Sequence, residues 1–371
     1  MPVELGGILR EFEEPFMQKY GGRLSPYQRK VYRALMRCQS GELGTVLYAC
    51  PDCGQRHIAN CSCGNRHCPL CQGEKTRRWV ETQEGRALPC EYALITFTVP
   101  TSLHGILRSH PREAYTAMFE ASRDTIIAIL GRRLGADLFG MLAVLHTWGS
   151  QLQYHPHIHI LMPAGGISPD RQKWMANGAG FTFPVVKVAS PVWRAKLLKA
   201  LKDKIGPGVL RQVRERLMDQ NFVVHAESVG NGQNAVRYLG RYVNRVAISN
   251  SRILKICEGI VHFRYNDKVQ QRERTMQLPV LEFIRRFMQH ILPKGFVKVR
   301  HYGFLHCKSR LDLHAVRGMI SDLYNRVRDY LPAALPLQPR KALTCTCGQV
   351  MLFVSMYRPT FSKPITILDS A

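Results

Sequence analysis

The sequence predicts an α+β fold in which a central antiparallel sheet, flanked by helices, follows a helical and cysteine-rich N-terminal region. Apolar runs of strand length occupy 91–100, 141–148 and 157–163, whereas 112–135 repeats its apolar residues at helical spacing. The second and third runs are separated by a short polar loop, which favours a hairpin. Neighbouring strands that are interrupted by long helices are typical of helices packed on an antiparallel sheet.

The remaining elements follow the same two periodicities. The first 37 residues predict two helices, and the second begins at Ser25-Pro26, where serine caps the helix and proline fits its first turn. Further helices are predicted at 193–218, 234–243 and 281–292, and further strands at 222–228, 253–265 and 296–305. The cysteine-rich segment therefore lies between a helical pair and the strands of the sheet.

Charge indicates the class of partner. Lys and Arg total 52 against 27 Asp and Glu, which gives a formal net charge of +25 and an isoelectric point near 9.9. An excess this large, spread along the chain, is the electrostatic footprint of a nucleic-acid-binding protein. A membrane partner is disfavoured, because no run approaches the roughly 18 apolar residues of a spanning helix and the N-terminus lacks a signal-peptide pattern. We therefore expect a cytoplasmic, nucleoid-associated protein.

The cysteines predict a structural metal site. Seven of the twelve lie between residues 38 and 71, and a chain without an export signal uses such clusters for metal rather than for disulfides. Two Cys-x-x-Cys knuckles are present, Cys50/Cys53 and Cys68/Cys71. Four thiolates close a tetrahedral zinc site with no open position. The spacing therefore predicts one structural zinc ion held by both knuckles.

Other cysteines and histidines leave the number of ions open. Cys63 and His67 are candidate ligands of a second zinc ion, and the alternative is that they are surplus to the first. The candidate ligands of a separate small knuckle in the tail are Cys345, Cys347, His306 and Cys307.

One predicted strand carries two histidines on the same face. In the segment 155–159, His157 and His159 are separated by one apolar residue, so their side chains point the same way and are able to hold one divalent ion. Two ligands are too few for a stable site. The candidates for a third, between which the sequence does not decide, are Gln151, His155, His146 and Asn234. The alternative is a hydrogen-bonded pair of histidines without a metal.

Two tyrosines are four residues apart in a predicted helix. Tyr238 and Tyr242 therefore share one helix face. Arg237, Arg241 and Arg245 have the same spacing and form a stripe about 100° around the helix, where they are placed to contact a DNA backbone. A metal ion over a phosphate, with two hydroxyl nucleophiles beside it, is suited to cutting and rejoining a DNA strand. The alternative is packing for the tyrosines and a solvated face for the arginines.

Four long motifs follow one another along the chain. They are CPDCGQRHIANCSCGNRHCPLCQG at 50–73, HTWGSQLQYHPHIHILMPAGG at 146–166, RYLGRYVNRVAISNSRI at 237–253 and LPKGFVKVRHYGFL at 292–305. Together they resemble the rolling-circle insertion-sequence transposases of the HUH (His-hydrophobe-His) superfamily, in the order in which that family has them.

That resemblance implies an HUH-type catalytic domain with a central antiparallel sheet. It implies His157 and His159 as metal ligands on a central strand and a tyrosine nucleophile on a nearby helix, and the presence of Tyr238 with Tyr242 places the chain in the two-tyrosine branch. The expected regions are a helical and zinc-binding DNA-binding domain at 1–90, the catalytic domain at 91–270 and a basic C-terminal region at 271–371.

The implied activity is that of a DNA transposase that nicks and rejoins single-stranded DNA through a 5′-phosphotyrosine. The expected ions are structural Zn²⁺ and catalytic Mg²⁺ or Mn²⁺, and the expected substrates are hairpin ends of an element and a short target site. Two alternatives stay open. One is a plasmid relaxase or replication initiator with the same chemistry, and the other is a zinc-dependent nucleic-acid-binding protein without catalysis.

Overall fold

A computed structural model describes residues 3–176, 188–211, 217, 220, 222–243, 245–267, 270–324, 343–359 and 365–366. Within these ranges, the side chains of Gln233, Leu239, Arg241, Tyr242 and Tyr324 and those of 365–366 lie outside the description.

The secondary structure of the described residues alternates helical and extended blocks. The helices are α1 (Leu5–Glu11), α2 (Glu13–Tyr20), α3 (Pro26–Met36), α4 (Gly73–Glu84), α5 (His104–Ser109), α6 (Pro111–Leu134), α7 (Ser190–Ile205), α8 (Pro207–Arg211), α9 (Gly232–Val243), α10 (Val280–Met288) and α11 (Leu313–Tyr324). The strands are β1 (Thr45–Ala49), β2 (Arg56–Asn60), β3 (Glu91–Thr98), β4 (Met141–Trp148), β5 (Tyr154–Pro163), β6 (Gly165–Ile167), β7 (Trp174–Ala176), β8 (Val223–Asn231), β9 (Ile253–Cys257), β10 (Ile260–Asp267), β11 (Arg272–Pro279), β12 (Val299–Tyr302), β13 (Leu352–Tyr357) and β14 (Ile365–Thr366).

The predicted central sheet is confirmed, with five strands in the order β12-β4-β5-β3-β8 and every neighbouring pair antiparallel. The predicted hairpin is the pair β4 and β5, and β5 lies in the middle of the sheet. Because β5 has a partner on both sides, its backbone is held in a single register across three strands. The strand that carries the two predicted metal ligands is therefore a central strand of the sheet.

Opposite faces of this sheet pack against different helices. One face presents Ile95, Phe97 and Ile158 to α6 and α7, with the rings of Phe97 and Trp193 5.0 Å apart. The other face is covered by residues of α9 and α11, and its apolar contacts include Leu94 and Leu161. Since side chains alternate along β5, His157 and His159 lie on the α9 face.

The N-terminal helices belong to a second core. Residues of α1, α2 and α3 pack with β9, β10, β11 and α10, and this core includes Phe16, stacked 5.5 Å from Tyr32, and Phe263, 5.7 Å from Phe283. Ser25 forms the predicted cap of α3, as a reciprocal capping box. The first predicted helix is divided at Phe12 into α1 and α2. The domain boundary predicted at 270/271 falls in the turn between β10 and β11, which are hydrogen-bonded partners.

A smaller sheet joins the two ends of the chain. Its order is β14-β13-β1-β2, so the C-terminal β13 pairs with the N-terminal β1. Gly44, just before β1, has φ +101°, and a Cβ there would lie 2.1 Å from the carbonyl oxygen of Tyr357. Glycine therefore allows β13 to approach β1 this closely.

Among the described residues, no helix is both long and apolar enough to cross a bilayer.

Candidate active site and metal centres

Three histidines converge on the α9 face of the central sheet. His157 and His159 come from β5, and His146 comes from β4, where it is the direct cross-strand partner of His157. One ring nitrogen of each lies within 4.8 Å of the others. Of the candidate third ligands, the structure thus brings His146 into the group. The ring of His155 is 5.1 Å from that of His157, but His155 is not part of the group.

Hydrogen bonds orient two of these imidazoles, and one of them fixes the tautomer of His157. Nδ1 of His157 donates to the backbone carbonyl of His155 at 2.7 Å, because a carbonyl only accepts. Its Nε2 therefore keeps a lone pair for a metal. Nδ1 of His159 is 3.0 Å from Oγ1 of Thr96 on β3, and when the hydroxyl accepts, Nε2 of His159 has the same role. Partners of this kind fix ring orientation and raise the basicity of metal-binding histidines.

His146 is the most buried of the three histidines, with 3% of its surface exposed. Its ring stacks on Trp148 with centroids 4.8 Å apart. His157 and His159 are only half-buried. Within the histidine group, His146 is therefore buried against Trp148, whereas His157 and His159 are partly accessible to solvent.

The predicted tyrosine helix is confirmed as α9, on the same face of the sheet as the histidines. Tyr238 packs partly buried against the cluster that contains Leu94 and Leu161, and its hydroxyl lies 3.5 Å from Oε1 of Glu227 on β8. The second oxygen of Glu227 is 4.0 Å from Nε2 of His225. Tyr242 lies one turn further along α9, and its side chain is outside the described residues.

Gly240 sets the orientation of this helix. A Cβ at Gly240 would lie 2.2 Å from Cγ2 of Val80 on α4, so α9 and α4 touch at this position. Tyr238 is two residues before Gly240, which places its Cβ on roughly the opposite side of the helix. The close contact with α4 therefore directs Tyr238 away from α4.

The predicted arginine stripe is only partly formed. Arg237 makes an ion pair with the largely buried Glu84 of α4 at 2.6 Å, which connects α9 to α4. Because α9 ends at Val243, Arg245 lies beyond the helix and does not continue the stripe. Arg245 is exposed and its carbonyl oxygen accepts a hydrogen bond from Nζ of Lys298. The side chain of Arg241 is outside the described residues.

The cysteines form two groups, and neither is the predicted one. The first consists of Cys38, Cys63, Cys68 and Cys71, and the second of Cys50, Cys53, Cys345 and Cys347. The two N-terminal knuckles therefore do not bind one ion together, because each knuckle faces a different pair of cysteines. The four residues of the prediction remain candidate zinc ligands, but of two ions.

The candidates for a second ion are also redistributed. Cys63 joins the first group, whereas His67 does not, since its ring lines a small cavity with Trp148, His290 and Lys298. Desolvation by burial keeps the pKa of His67 well below its usual value. The tail pair forms a cluster with Cys50 and Cys53, and neither the exposed His306 nor the exposed Cys307 belongs to it.

The first group has the dimensions of a zinc site. The Sγ atom of Cys38 is 3.6 Å from that of Cys71 and 3.5 Å from that of Cys68, and the Sγ atoms of Cys63 and Cys71 are 3.7 Å apart. A tetrahedron of sulfurs at a Zn–S distance of about 2.3 Å has edges of about 3.8 Å, whereas a disulfide is about 2.05 Å long. Sequence spacing missed Cys38, because its partner cysteines lie at least 25 residues further along the chain.

Comparison with known proteins supplies the family. A family model described as "Putative transposase" matches residues 140–311, and one described as "Transposase zinc-binding domain" matches residues 8–99. The chain is 38% identical over 321 residues to "Putative transposase y4qJ" of Sinorhizobium fredii, which covers 81% of this chain and 80% of that protein. It is 27% identical over 304 residues to "Transposase for insertion sequence element IS801" of Pseudomonas savastanoi pv. phaseolicola, with 76% and 72% covered. No solved structure matches.

Proposed function

We propose, from the premise that the chain belongs to the family of IS91- and IS801-type transposases, that it nicks and rejoins single-stranded DNA through a 5′-phosphotyrosine. Membership of this family makes DNA its partner and makes a DNA nuclease and strand-transfer activity its general function. The cysteine groups and the matched zinc-binding domain support structural zinc. We propose in addition the phosphotyrosine chemistry, a divalent catalytic ion and single-stranded DNA as the substrate.

The observation that carries the proposal is the convergence of three histidines beneath the helix of the tyrosines. Three imidazoles, two of them oriented by hydrogen bonds, are able to hold one divalent ion, and we propose Mn²⁺ or Mg²⁺ as that ion. When bound there, the ion supplies Lewis-acid polarisation of a phosphate oxygen. Strands are about 4.8 Å apart and residues about 3.3 Å apart along a strand. Glu227, which contacts Tyr238, lies across β3 from Leu161, so its backbone is roughly 12 Å from that of His159. We propose that a DNA phosphate bound at the histidines occupies the space between them and the tyrosines of α9.

In the cleavage step, the hydroxyl oxygen of Tyr238 attacks the phosphorus, and the bond from phosphorus to the 3′ oxygen of the preceding nucleotide breaks. A tyrosine hydroxyl is a weak nucleophile at neutral pH, because its ordinary pKa is about 10. Glu227 is positioned to accept the proton, since its carboxylate is the hydroxyl's neighbour. The leaving 3′ oxygen takes up a proton and becomes a free 3′-hydroxyl. The reverse reaction rejoins a strand without any external energy source, because the phosphotyrosine retains the bond energy.

Tyr242 gives the same helix a second nucleophile. One turn separates the two residues on α9. While one tyrosine holds the first DNA end, the other is free to cleave a second strand, as transfer of an element requires. We propose single-stranded hairpin ends and a short target site as the substrates, and the net charge of +25 favours binding to their phosphates.

The test is the formation of a covalent DNA–protein adduct from a labelled single-stranded oligonucleotide library that includes hairpins. Wild type is compared with Tyr238→Phe, Tyr242→Phe, the double variant and His157→Ala, with Tyr357→Phe as the matched tyrosine control on the distant small sheet. Metal dependence is measured with and without added Mn²⁺ on protein freed of loosely bound ions, because a strong chelator also removes structural zinc.

We expect an Mn²⁺-dependent adduct in wild type and Tyr357→Phe, none in the double variant, and a strong loss in His157→Ala. An adduct that persists in the double variant would contradict the nucleophile assignment. Tight DNA binding without an adduct on any substrate or ion would instead favour a non-catalytic DNA-binding protein.

A further inference from the structure

The second cysteine group combines residues from the two ends of the chain. Cys50 and Cys53 precede β2, and Cys345 and Cys347 precede β13; Cys53 and Cys345 are 292 residues apart in sequence. The matched zinc-binding family ends at residue 99 and the matched transposase family at residue 311, so neither includes the C-terminal pair. We propose that these four cysteines bind a second structural zinc ion, which fastens the C-terminal segment onto the N-terminal zinc-binding region.

The two halves of the group have analogous backbone hydrogen bonds, although the C-terminal turn is one residue shorter. The amide of Cys50 donates to the carbonyl of Gln55, and the amide of Gly54 donates back to Cys50. On the other side, the amide of Cys345 donates to the carbonyl of Gln349, and the amide of Gly348 donates back to Cys345. Each half is thus a short turn that supplies two of the four converging thiols.

Each turn ends at a glycine in the left-handed region. Gly54 has φ +68° and Gly348 has φ +91°, conformations that other residues adopt only with strain. No heavy atom other than those of the glycine's neighbours lies within 4 Å of a Cβ added at either position. The requirement for glycine is therefore the turn itself, and both halves of the site share it.

The sulfur distances fit a metal and not a disulfide. Sγ of Cys50 is 3.5 Å from that of Cys347, and Sγ of Cys53 is 3.4 Å from that of Cys345. These are close to the edges of the first cysteine group, 3.5–3.7 Å, and to the roughly 3.8 Å of a zinc tetrahedron. A disulfide requires about 2.05 Å.

Packing alone is too weak to hold the two ends together. Of the described residues around this group, the buried ones are Cys50, Cys345 and Met351, with Tyr48 partly buried beside them. The sheet that the ends share leaves Ile58 67% exposed and Leu352 56% exposed. A unit with so small a core needs a metal or another cross-link to stay folded. The ion would supply the stability that burial does not.

The experiment measures the number of zinc ions bound per chain by inductively coupled plasma mass spectrometry on the whole chain. His157→Ala/His159→Ala is the background for every variant, so that zinc at the histidines is not counted. We expect two ions per chain in this background and one after Cys345→Ser/Cys347→Ser. The control Cys257→Ser/Cys307→Ser, which removes two exposed cysteines outside both groups, should retain two. One ion in the background, or two after the C-terminal change, would overturn the proposal.

A second measurement needs no variant to fold. Alkylation of the unaltered protein is followed residue by residue by mass spectrometry, with and without a zinc chelator. Cys50, Cys53, Cys345 and Cys347 should be protected together and become reactive together when zinc is removed, although Cys53 and Cys347 are exposed. Reaction of Cys347 while two ions stay bound would overturn the proposal, and so would a Cys53–Cys345 disulfide in the unreduced protein.

Discussion

Thr96 acts at the metal centre through a single hydroxyl. Its Oγ1 is 3.0 Å from Nδ1 of His159, so Thr96→Val should free the ring to rotate and lower Mn²⁺ affinity about 10- to 100-fold. The control is Thr45→Val, the same change at a half-buried strand position on β1 of the small sheet. Titration calorimetry gives the affinities, and thermal unfolding should be similar for both variants. Equal Mn²⁺ affinities in the two variants would show that the hydroxyl does not position His159.

Glu227 is expected to influence the rate of cleavage and not DNA affinity. If it accepts the proton of Tyr238, then Glu227→Gln should slow adduct formation about 10²- to 10⁴-fold. It should also change the pH profile of the rate. The control is Glu273→Gln, at an exposed acidic residue paired with Arg264. A purely structural role predicts a loss of affinity or stability with an unchanged pH profile.

His290 makes the stability of the protein depend on pH. It is 3% exposed, its Nε2 lies 3.1 Å from the carbonyl oxygen of Leu152, and Thr147 contacts its Nδ1. Desolvation by burial lowers the pKa of His290 from 6.5 to about 4. Between these values the unfolded chain binds a proton that the folded chain does not. The free energy of unfolding should therefore fall by up to about 3 kcal/mol as pH drops from 6.5 to 4.

Chemical denaturation across this pH range tests the prediction for His290. His290→Gln should be less stable at neutral pH but should show a shallower decline below pH 6.5. The control His314→Gln, at an exposed position on α11, should keep the decline of wild type. Identical declines in His290→Gln and wild type would assign the pH dependence to other groups.

Local spacing in the sequence predicted residue pairs that are close in sequence, but it did not predict which distant residues join them at a metal site. His157 and His159 are two residues apart, so alternation alone placed them on one face. The choice of His146 over the other candidates depends on the register of β4 against β5, in which His146 faces His157. That register is a property of the assembled hairpin. The same reason separated Cys50/Cys53 from Cys68/Cys71, whose true partners are distant in sequence.

Among the elements, the contact between α9 and α4 is the one on which tyrosine placement depends. Gly240→Ala would place a methyl group 2.2 Å from Cγ2 of Val80, a β-branched side chain with little freedom to move. Overpacking of this kind costs about 1–3 kcal/mol and shifts backbones. We expect slower adduct formation in Gly240→Ala, measured on single-stranded DNA, and recovery in Gly240→Ala/Val80→Ala. Failure of the second change to restore activity would show that the glycine matters for a reason other than this contact.

Elements with strong local signals were predicted most accurately. The strand at 141–148 has the observed bounds, and the helix predicted at 112–135 is observed as α6, one residue earlier. The strand predicted at 296–305 shrinks to β12, because only Val299–Tyr302 pairs with β4. The pairing of β13 with β1 had no local signal, since its two strands come from opposite ends of the chain.

For the whole molecule, the net charge could be predicted from composition, whereas the pairing of the N-terminal β1 with the C-terminal β13 could not. The net charge of +25 does not depend on the fold. The meeting of residues 45–60 with 343–357 does, because each segment carries a pair of cysteines but nothing in its local sequence specifies the other as its partner. The predicted three regions follow the order of the sequence, whereas the second core joins α1–α3 to β9–β11 and α10, and the small sheet joins both ends.

The net charge predicts a steep salt dependence of DNA binding. Each phosphate neutralised on a single strand contributes about −0.7 to the slope of log affinity against log salt. Six to ten contacts would give a slope of roughly −4 to −7, so affinity should fall about 10²- to 10⁴-fold between 50 and 200 mM salt.

Fluorescence anisotropy with a labelled single strand measures this salt dependence of DNA affinity. Tyr238→Phe/Tyr242→Phe is used so that no cleavage intervenes, and Tyr357→Phe without added Mn²⁺ is the control. A slope shallower than about −2 would mean that few of the 52 basic side chains contact phosphate. Affinity would then come mainly from base stacking, which salt weakens little.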